Sequence, residues 1–306
     1  MTRYIYRFIV AASMLLFPAV IYSQTLPFTA VNYDAGSVAR AGASCLSTSS
    51  AAYGAFANPA AVPFYDGKGD FAAGYAMWAP QGVNTNVISA AGAYNVADRL
   101  GVTAGFSYGM NPAYDIYDAS GASKGLFKPS EMQFMAGVSY RFIPAMSVGV
   151  NVGYASASLS EAVSYGAVTA DVFLMGEFNG FKVAAGVSDL GGSVVSASGA
   201  KFGLPASAAV ALGYGSDIGE AHGIDLEVDA EYAFSGAFGA AFGAEYNFRK
   251  LVFVRAGYRY GGETVIPSFA SAGVGVHIAG IRIDAAYLFA NEVLGNTLSL
   301  SLGYSF

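Results

Sequence analysis

The sequence predicts an all-β chain: a transmembrane antiparallel β-barrel of about fourteen strands with a short N-terminal helical plug. Three observations carry this expectation. The first is charge: the 306 residues are 54% hydrophobic and 14% aromatic but only 12% charged, about half the charged share of an ordinary soluble domain. The second is how the apolar residues are spread. After the N-terminus they never form the run of about 20 that a bilayer-spanning helix needs. The third is alternation with period two, the signature of a strand whose side chains face opposite sides in turn.

The first element is a secretory signal expected over residues 1–23. Arg3 and Arg7 give a basic start, Phe8 to Val20 an apolar stretch, and Ile21-Tyr22-Ser23 a cleavage site after Ser23. That segment holds two of the 15 basic residues and none of the 21 acidic ones, so 13 basic face 21 acidic residues in the remainder, a formal charge of −8. Such a balance argues against nucleic-acid binding. Cys45 is the single cysteine, which rules out an internal disulfide framework and a Cys-based zinc site.

Residues 24–67 form the expected plug. Ser37 to Phe56 is rich in Ala, Ser and Gly and suits one or two short helices. Asn58-Pro59-Ala60 is expected to end the helical stretch, because proline disfavours the α conformation at the preceding residue. The segment is too polar to span a membrane and too apolar for a free tail, so it is expected to fold into the barrel lumen.

The barrel is assigned to residues 68–306. Leu298, Leu300, Leu302, Tyr304 and Phe306 alternate with Thr297, Ser299, Ser301, Gly303 and Ser305; Ile281, Ile283 and Tyr287 alternate with Arg282, Asp284 and Ala286. Similar patterns place strands at 69–79, 85–95, 99–109, 131–142, 145–156, 167–178, 181–188, 206–214, 223–234, 238–248, 251–260, 268–278, 281–290 and 297–306. Their length suits a tilted membrane strand, and the even count suits a single-chain barrel. One face of each strand is aliphatic with aromatic ends, the other Gly, Ala, Ser and scattered charge, which fits an apolar exterior and a polar interior. Tyr154, Tyr232, Tyr258 and Phe289 fall at one rim, Tyr94, Phe142, Tyr214 and Phe306 at the other, as paired aromatic girdles would. Connections alternate tight (143–144, 179–180, 249–250, 279–280) with long (110–130, 157–166, 189–205, 261–267, 291–296); 215–222, expected long, and 235–237, expected short, break the alternation, and 80–84 is short for its place.

Ser37-Val38-Ala39-Arg40-Ala41-Gly42-Ala43, followed by small residues and Asn58-Pro59-Ala60-Ala61 ahead of the first strand, resembles the N-terminal signature of the FadL/PorV/PorQ outer-membrane family. The resemblance singles out Arg40, Asn58, Pro59 and Ala60 as a plug motif. It implies a fourteen-stranded barrel with an N-terminal hatch in the cell outer membrane, in contact with its lipids. FadL-like members pass hydrophobic small molecules. PorV- and PorQ-like members serve the type IX secretion system, and PorV-like ones carry secreted proteins at the cell surface. The chain is shorter than typical members.

Three readings follow. In a transporter, Trp78, Phe173, Met175 and Phe253 turn inward and line a partly apolar pocket, or pack against the plug. In a secretion accessory, Tyr114, Tyr117 and Phe127 of the 110–130 loop are candidate anchors, since aromatics favour interface hot spots. The third reading is a structural barrel without cargo. Three-residue turns at 235–237 and 249–251 would oppose Glu227 to Glu245 and Glu245 to Arg255, with Asp284 one strand further. Glu227, Glu245, Arg255 and Asp284 would then form a lumen row that either guides substrate or ties plug to wall. No cofactor motif appears: the two histidines, His222 and His277, lack metal-ligand spacing, and the glycines of 186–192 open no helix. No catalytic constellation is legible, although Ser271, His277 and Asp284 fall near one another in this register.

Overall fold

A computed structural model describes residues 26–46, 49–78, 85–161, 163–195, 201–261, 266–290 and 295–306. The expected signal peptide lies outside these residues. Fourteen strands form one closed antiparallel barrel. They are β1 (Gly69–Trp78), β2 (Thr85–Ala97), β3 (Leu100–Met110), β4 (Ser130–Ile143), β5 (Met146–Ser160), β6 (Val163–Phe178), β7 (Phe181–Gly191), β8 (Ser207–Ile218), β9 (His222–Ala233), β10 (Phe238–Phe248), β11 (Val252–Tyr260), β12 (Phe269–Ile278), β13 (Ile281–Ala290) and β14 (Thr297–Ser305). Each pairs with its sequence neighbour, and β14 returns to β1 in the register Asp70↔Ser305 to Trp78↔Thr297. Closure leaves no sheet edge, so every strand can satisfy its backbone within the wall.

The alternation decides which way each side chain points. In β14, Leu300, Leu302 and Tyr304 are exposed on the outside while Thr297, Ser299 and Ser301 are buried within. The exposed residues form an almost wholly apolar exterior with aromatics near both ends, among them Phe71, Tyr94, Phe178, Tyr214 and Phe306 at the end where the chain enters and leaves, and Tyr154, Tyr232, Tyr258 and Phe289 at the loop end.

Several connections differ from expectation. Pairing of β8 with β9 runs out to Ile218↔His222, so the expected long connection 215–222 shrinks to three residues; Gly219 with φ +64 makes that tight reversal possible. The 157–166 connection shortens likewise, because β5 and β6 pair out to Ser160↔Val163. In the long loop after β3, Tyr114–Tyr117 pairs with Ser123–Phe127 as a hairpin, and Val194–Val195 pairs with Lys201–Phe202 after β7. The 80–84 connection and most of 261–267 and 291–296 lie outside the described residues.

The plug occupies the lumen. It comprises a 3₁₀ turn Pro27–Ala30, helix α1 (Ala35–Ala39), a second 3₁₀ segment Ala51–Ala55 and a third, Pro59–Phe64. Asp34 caps α1, its carboxylate accepting from the amides of Gly36 and Ser37. Pro59 does not simply end the helical stretch. It stands at the first position of the third segment, where its missing N–H costs nothing.

Candidate functional site

The site begins with how the plug is held. Ala39 to Ala41 lie against a row of wall residues that pair across neighbouring strands: Glu227↔Gly243, Gly243↔Gly257 and Gly257↔Ser271. A Cβ at Gly257 would stand 2.4 Å from the Arg40 carbonyl carbon, and one at Gly243 2.7 Å from Arg40 Cβ. The two glycines thus make the trough in which the plug backbone rests. Ser271 Oγ closes it, accepting from the Ala41 amide at 2.8 Å and donating to the Ala39 carbonyl at 2.9 Å.

Arg40 then reaches the wall. Its guanidinium lies 3.1 Å from Glu227 and 3.8 Å from Asp225. Burial by itself would lower its pKa, but the carboxylates of Glu227, Glu245, Asp225 and Asp34 hold it above its ordinary value. Glu227 also accepts from the Leu46 amide at 2.8 Å, and Asp229 from the amides of Ser44 and Cys45 at 3.0 and 3.1 Å. The Cys45 thiol is pushed up by burial, with Asp229 and Glu227 adding to the effect. Asn58 supports the same turn from behind: its side chain accepts from the Ala60 amide at 2.8 Å and donates to the Cys45 carbonyl at 2.6 Å. Opposite, Ser147 Oγ donates to the Ala60 carbonyl, and Asn151 Nδ2 donates to the carbonyls of Gly54 and Ala55.

The lumen charges are arranged differently from the expected row. Glu227 faces Gly243, and Asp225 is the residue opposite Glu245. The cause is the β9–β10 turn, which lies one residue earlier than expected: Tyr232 pairs with Phe238 and the Ala233 amide donates to the Ala237 carbonyl, so the reversal runs through 234–236. Moving the centre of the turn by one residue slides the register by two, which preserves the facing of every side chain while changing its partner. Glu245 stands opposite Arg255, and Arg255 bridges Glu245 and Asp284, each at 2.5 Å. Glu227 belongs instead to the Arg40 cluster. Alternation alone would also have turned Asp70, Lys182 and Arg282 inward; Arg282 bonds Asp70 and the plug residue Ser50, and Lys182 lies 3.0 Å from Asp225.

Of the four expected pocket residues, the three whose side chains are described do not come together. Phe173 and Met175 pack on Leu46, Ala60 and Ala61 of the plug. Phe253 packs at a tilt on His277, with ring centroids 4.0 Å apart, beneath Arg255. β11 carries it to another part of the wall. The side chain of Trp78 lies outside the described residues. Ser271 is committed to the plug while His277 contacts Asp284 at 3.1 Å, so these three form no catalytic relay. Tyr117 is exposed at the hairpin; Tyr114 donates to the Leu159 carbonyl at 2.7 Å and packs on Phe127.

A cavity of about 170 Å³ lies between plug and wall in the loop-end half of the lumen. Val31, Val38, Met135, Phe173, Phe269 and Leu288 give it an apolar lining. Sequence reasoning found Phe173 but not the rest, because only the path of the plug brings Val31 and Val38 to the wall.

No family model and no curated protein matches the sequence. Solved structures do resemble the fold. The toluene transporter TodX of P. putida aligns with a TM-score of 0.66 at 14% identity over 90% of this chain and 99% of its own. The Ralstonia pickettii toluene transporter TbuX aligns at 0.62 and 12% over 91% and 100%. A Pseudomonas aeruginosa FadL homologue aligns at 0.55 and 12% over 90% and 98%. The chain is thus a closed fourteen-stranded antiparallel barrel with short N-terminal helices. In architecture it is FadL-like.

Proposed function

We propose that this protein is an outer-membrane channel that passes small hydrophobic molecules from the loop end, past the plug, to the other side. The cavity between plug and wall carries the reading: it is mostly apolar and close in size to the roughly 150 Å³ void that accommodates benzene in an engineered core. The apolar exterior and aromatic rims fit a bilayer. Two of the aligned structures are toluene transporters. Arg40 and Glu227 hold the plug in this reading, and Arg255 with Glu245 and Asp284 braces the wall. The secretion-accessory alternative has no support among the aligned structures.

The test is uptake of radiolabelled toluene by cells with an intact lipopolysaccharide leaflet, with and without the protein. Fractionation should first place it in the outer membrane. An initial rate several-fold above the control is expected; an unchanged rate with correctly located, folded protein would overturn the reading.

A further inference from the structure

Acidic residues share the cavity lining with the apolar ones. The pairing of β6 with β7 steps from Ala170↔Leu190 to Val172↔Val187, leaving Asp171 without a direct partner. Asp189, at φ +54, turns back so that its amide donates to Asp171 Oδ1 at 2.9 Å. This irregularity sets both carboxyl groups on the cavity wall, each more than nine-tenths buried. Asp229 and Glu231 of β9 line the cavity as well. Among the described residues Arg259 is the sole cation on that wall, and it is taken by Glu231 at 2.5 Å. No cationic side chain is seen within 4 Å of Asp171, Asp189 or Asp229 among the described residues.

A second observation is independent of the carboxylates. Gln133 Oε1, Thr297 Oγ1 and Ser299 Oγ are buried with no hydrogen-bond partner among the described residues. All three residues line the same cavity and are at most 2% exposed. Buried polar atoms are normally paired. Here an oxygen acceptor and two hydroxyls are left for whatever occupies the space.

We infer that this cavity selects a small monocyclic arylalkylamine in its ammonium form over the bare hydrocarbon and over the matching carboxylate. The inference rests on the cavity being the substrate site proposed above. The ring would lie against Met135, Phe173, Phe269 and Leu288. The ammonium, with three donors and no acceptor, answers carboxylates and Gln133 Oε1 together. A bare hydrocarbon leaves those atoms unanswered, and a carboxylate adds a negative charge to a wall with three uncompensated acidic groups.

The probes are benzylamine, toluene and benzoate, similar in size and different in polar group, titrated calorimetrically into the purified full-length barrel in mild detergent at neutral pH. Benzylamine is expected to bind at least tenfold tighter than toluene, with benzoate weakest. The double variant Asp171→Asn/Asp189→Asn, shown folded by its heat-dependent gel mobility, is expected to lose that tenfold preference, and Gln133→Leu to reduce it. Toluene binding as tightly as benzylamine would overturn the inference while leaving the hydrophobic channel intact. So would a preference that survives the double variant. Failure of all three probes to bind would sink both.

Discussion

The guanidinium of Arg40 lies 3.1 Å from the carboxylate of Glu227, 187 positions away in sequence, with 3% and 1% of the two side chains exposed. This buried pair fastens the plug to β9. Its members are poorly dispensable for a reason separate from the strength of the bond: removing one leaves the other charged in a dry place.

Arg40→Ala or Glu227→Ala is therefore expected to destabilise the plugged state by about 3–5 kcal/mol. The double variant should cost less than the sum, as expected of groups in direct contact. Planar-bilayer conductance checks the plug, with the single variants showing frequent open events rare in the parent. Equal closure in both would show that the pair is not what holds it.

Cys45 supplies a reporter of the same event. Its thiol is pushed up by burial and by nearby Asp229 and Glu227, and the thiolate is the reactive form. Maleimide labelling of the folded parent at pH 8 is expected to be slow. In Arg40→Ala it should accelerate at least tenfold, read by mass shift.

The glycine trough is tested by filling it. Gly257→Val places atoms where the Arg40 backbone lies, since even a Cβ would be 2.4 Å from its carbonyl carbon. We expect about 1–3 kcal/mol of overpacking cost and faster amide exchange at residues 39–46. Gly192→Ala, whose Cβ would meet nothing within 4 Å, is the matched control and should leave exchange unchanged.

The hairpin after β3 should loosen in acid. Asp118 accepts from the Ser120 hydroxyl and from the amides of Ser120 and Ala122, and these bonds, the Ser120 hydroxyl first, hold its carboxyl below its ordinary value. A depressed pKa contributes stability that is complete above the unfolded value and is lost as pH falls through the folded one. The Ala122 amide resonance should shift over that acid window and stay still in Asp118→Asn. A pH-independent resonance in the parent would remove the carboxylate from the account.

Much of the fold was legible because a strand's facing depends only on residue parity. Leu300 and Ser301 must point to opposite sides whatever surrounds them, so the exterior and interior sets of all fourteen strands could be read from spacing. Partners were less accessible. Arg255 and Glu245 follow as opposites from the tight turn joining their strands, whereas the partner of Glu227 depends on a turn centred one residue earlier than the sequence suggests. The extended pairing to Ile218↔His222 is hidden for a related reason: Gly215, Ser216 and Asp217 read as loop residues by type, but the adjoining strand β9 offers them partners in Asp225, Ile224 and Gly223 that propensity ignores.

What the sequence by itself determined is the barrel, its strand count, its polar interior and a plug at the N-terminal side, all consequences of local alternation and composition. What only the tertiary structure decided is which wall residues meet the plug and what lines the space left over. Val31 and Val38, Asp171 and Asp189, and Thr297 come from segments far apart in the chain, and no local pattern encodes their meeting. It follows from the path of an irregular segment through a closed lumen, where Gly243 and Gly257 give it room and Arg40 finds Glu227.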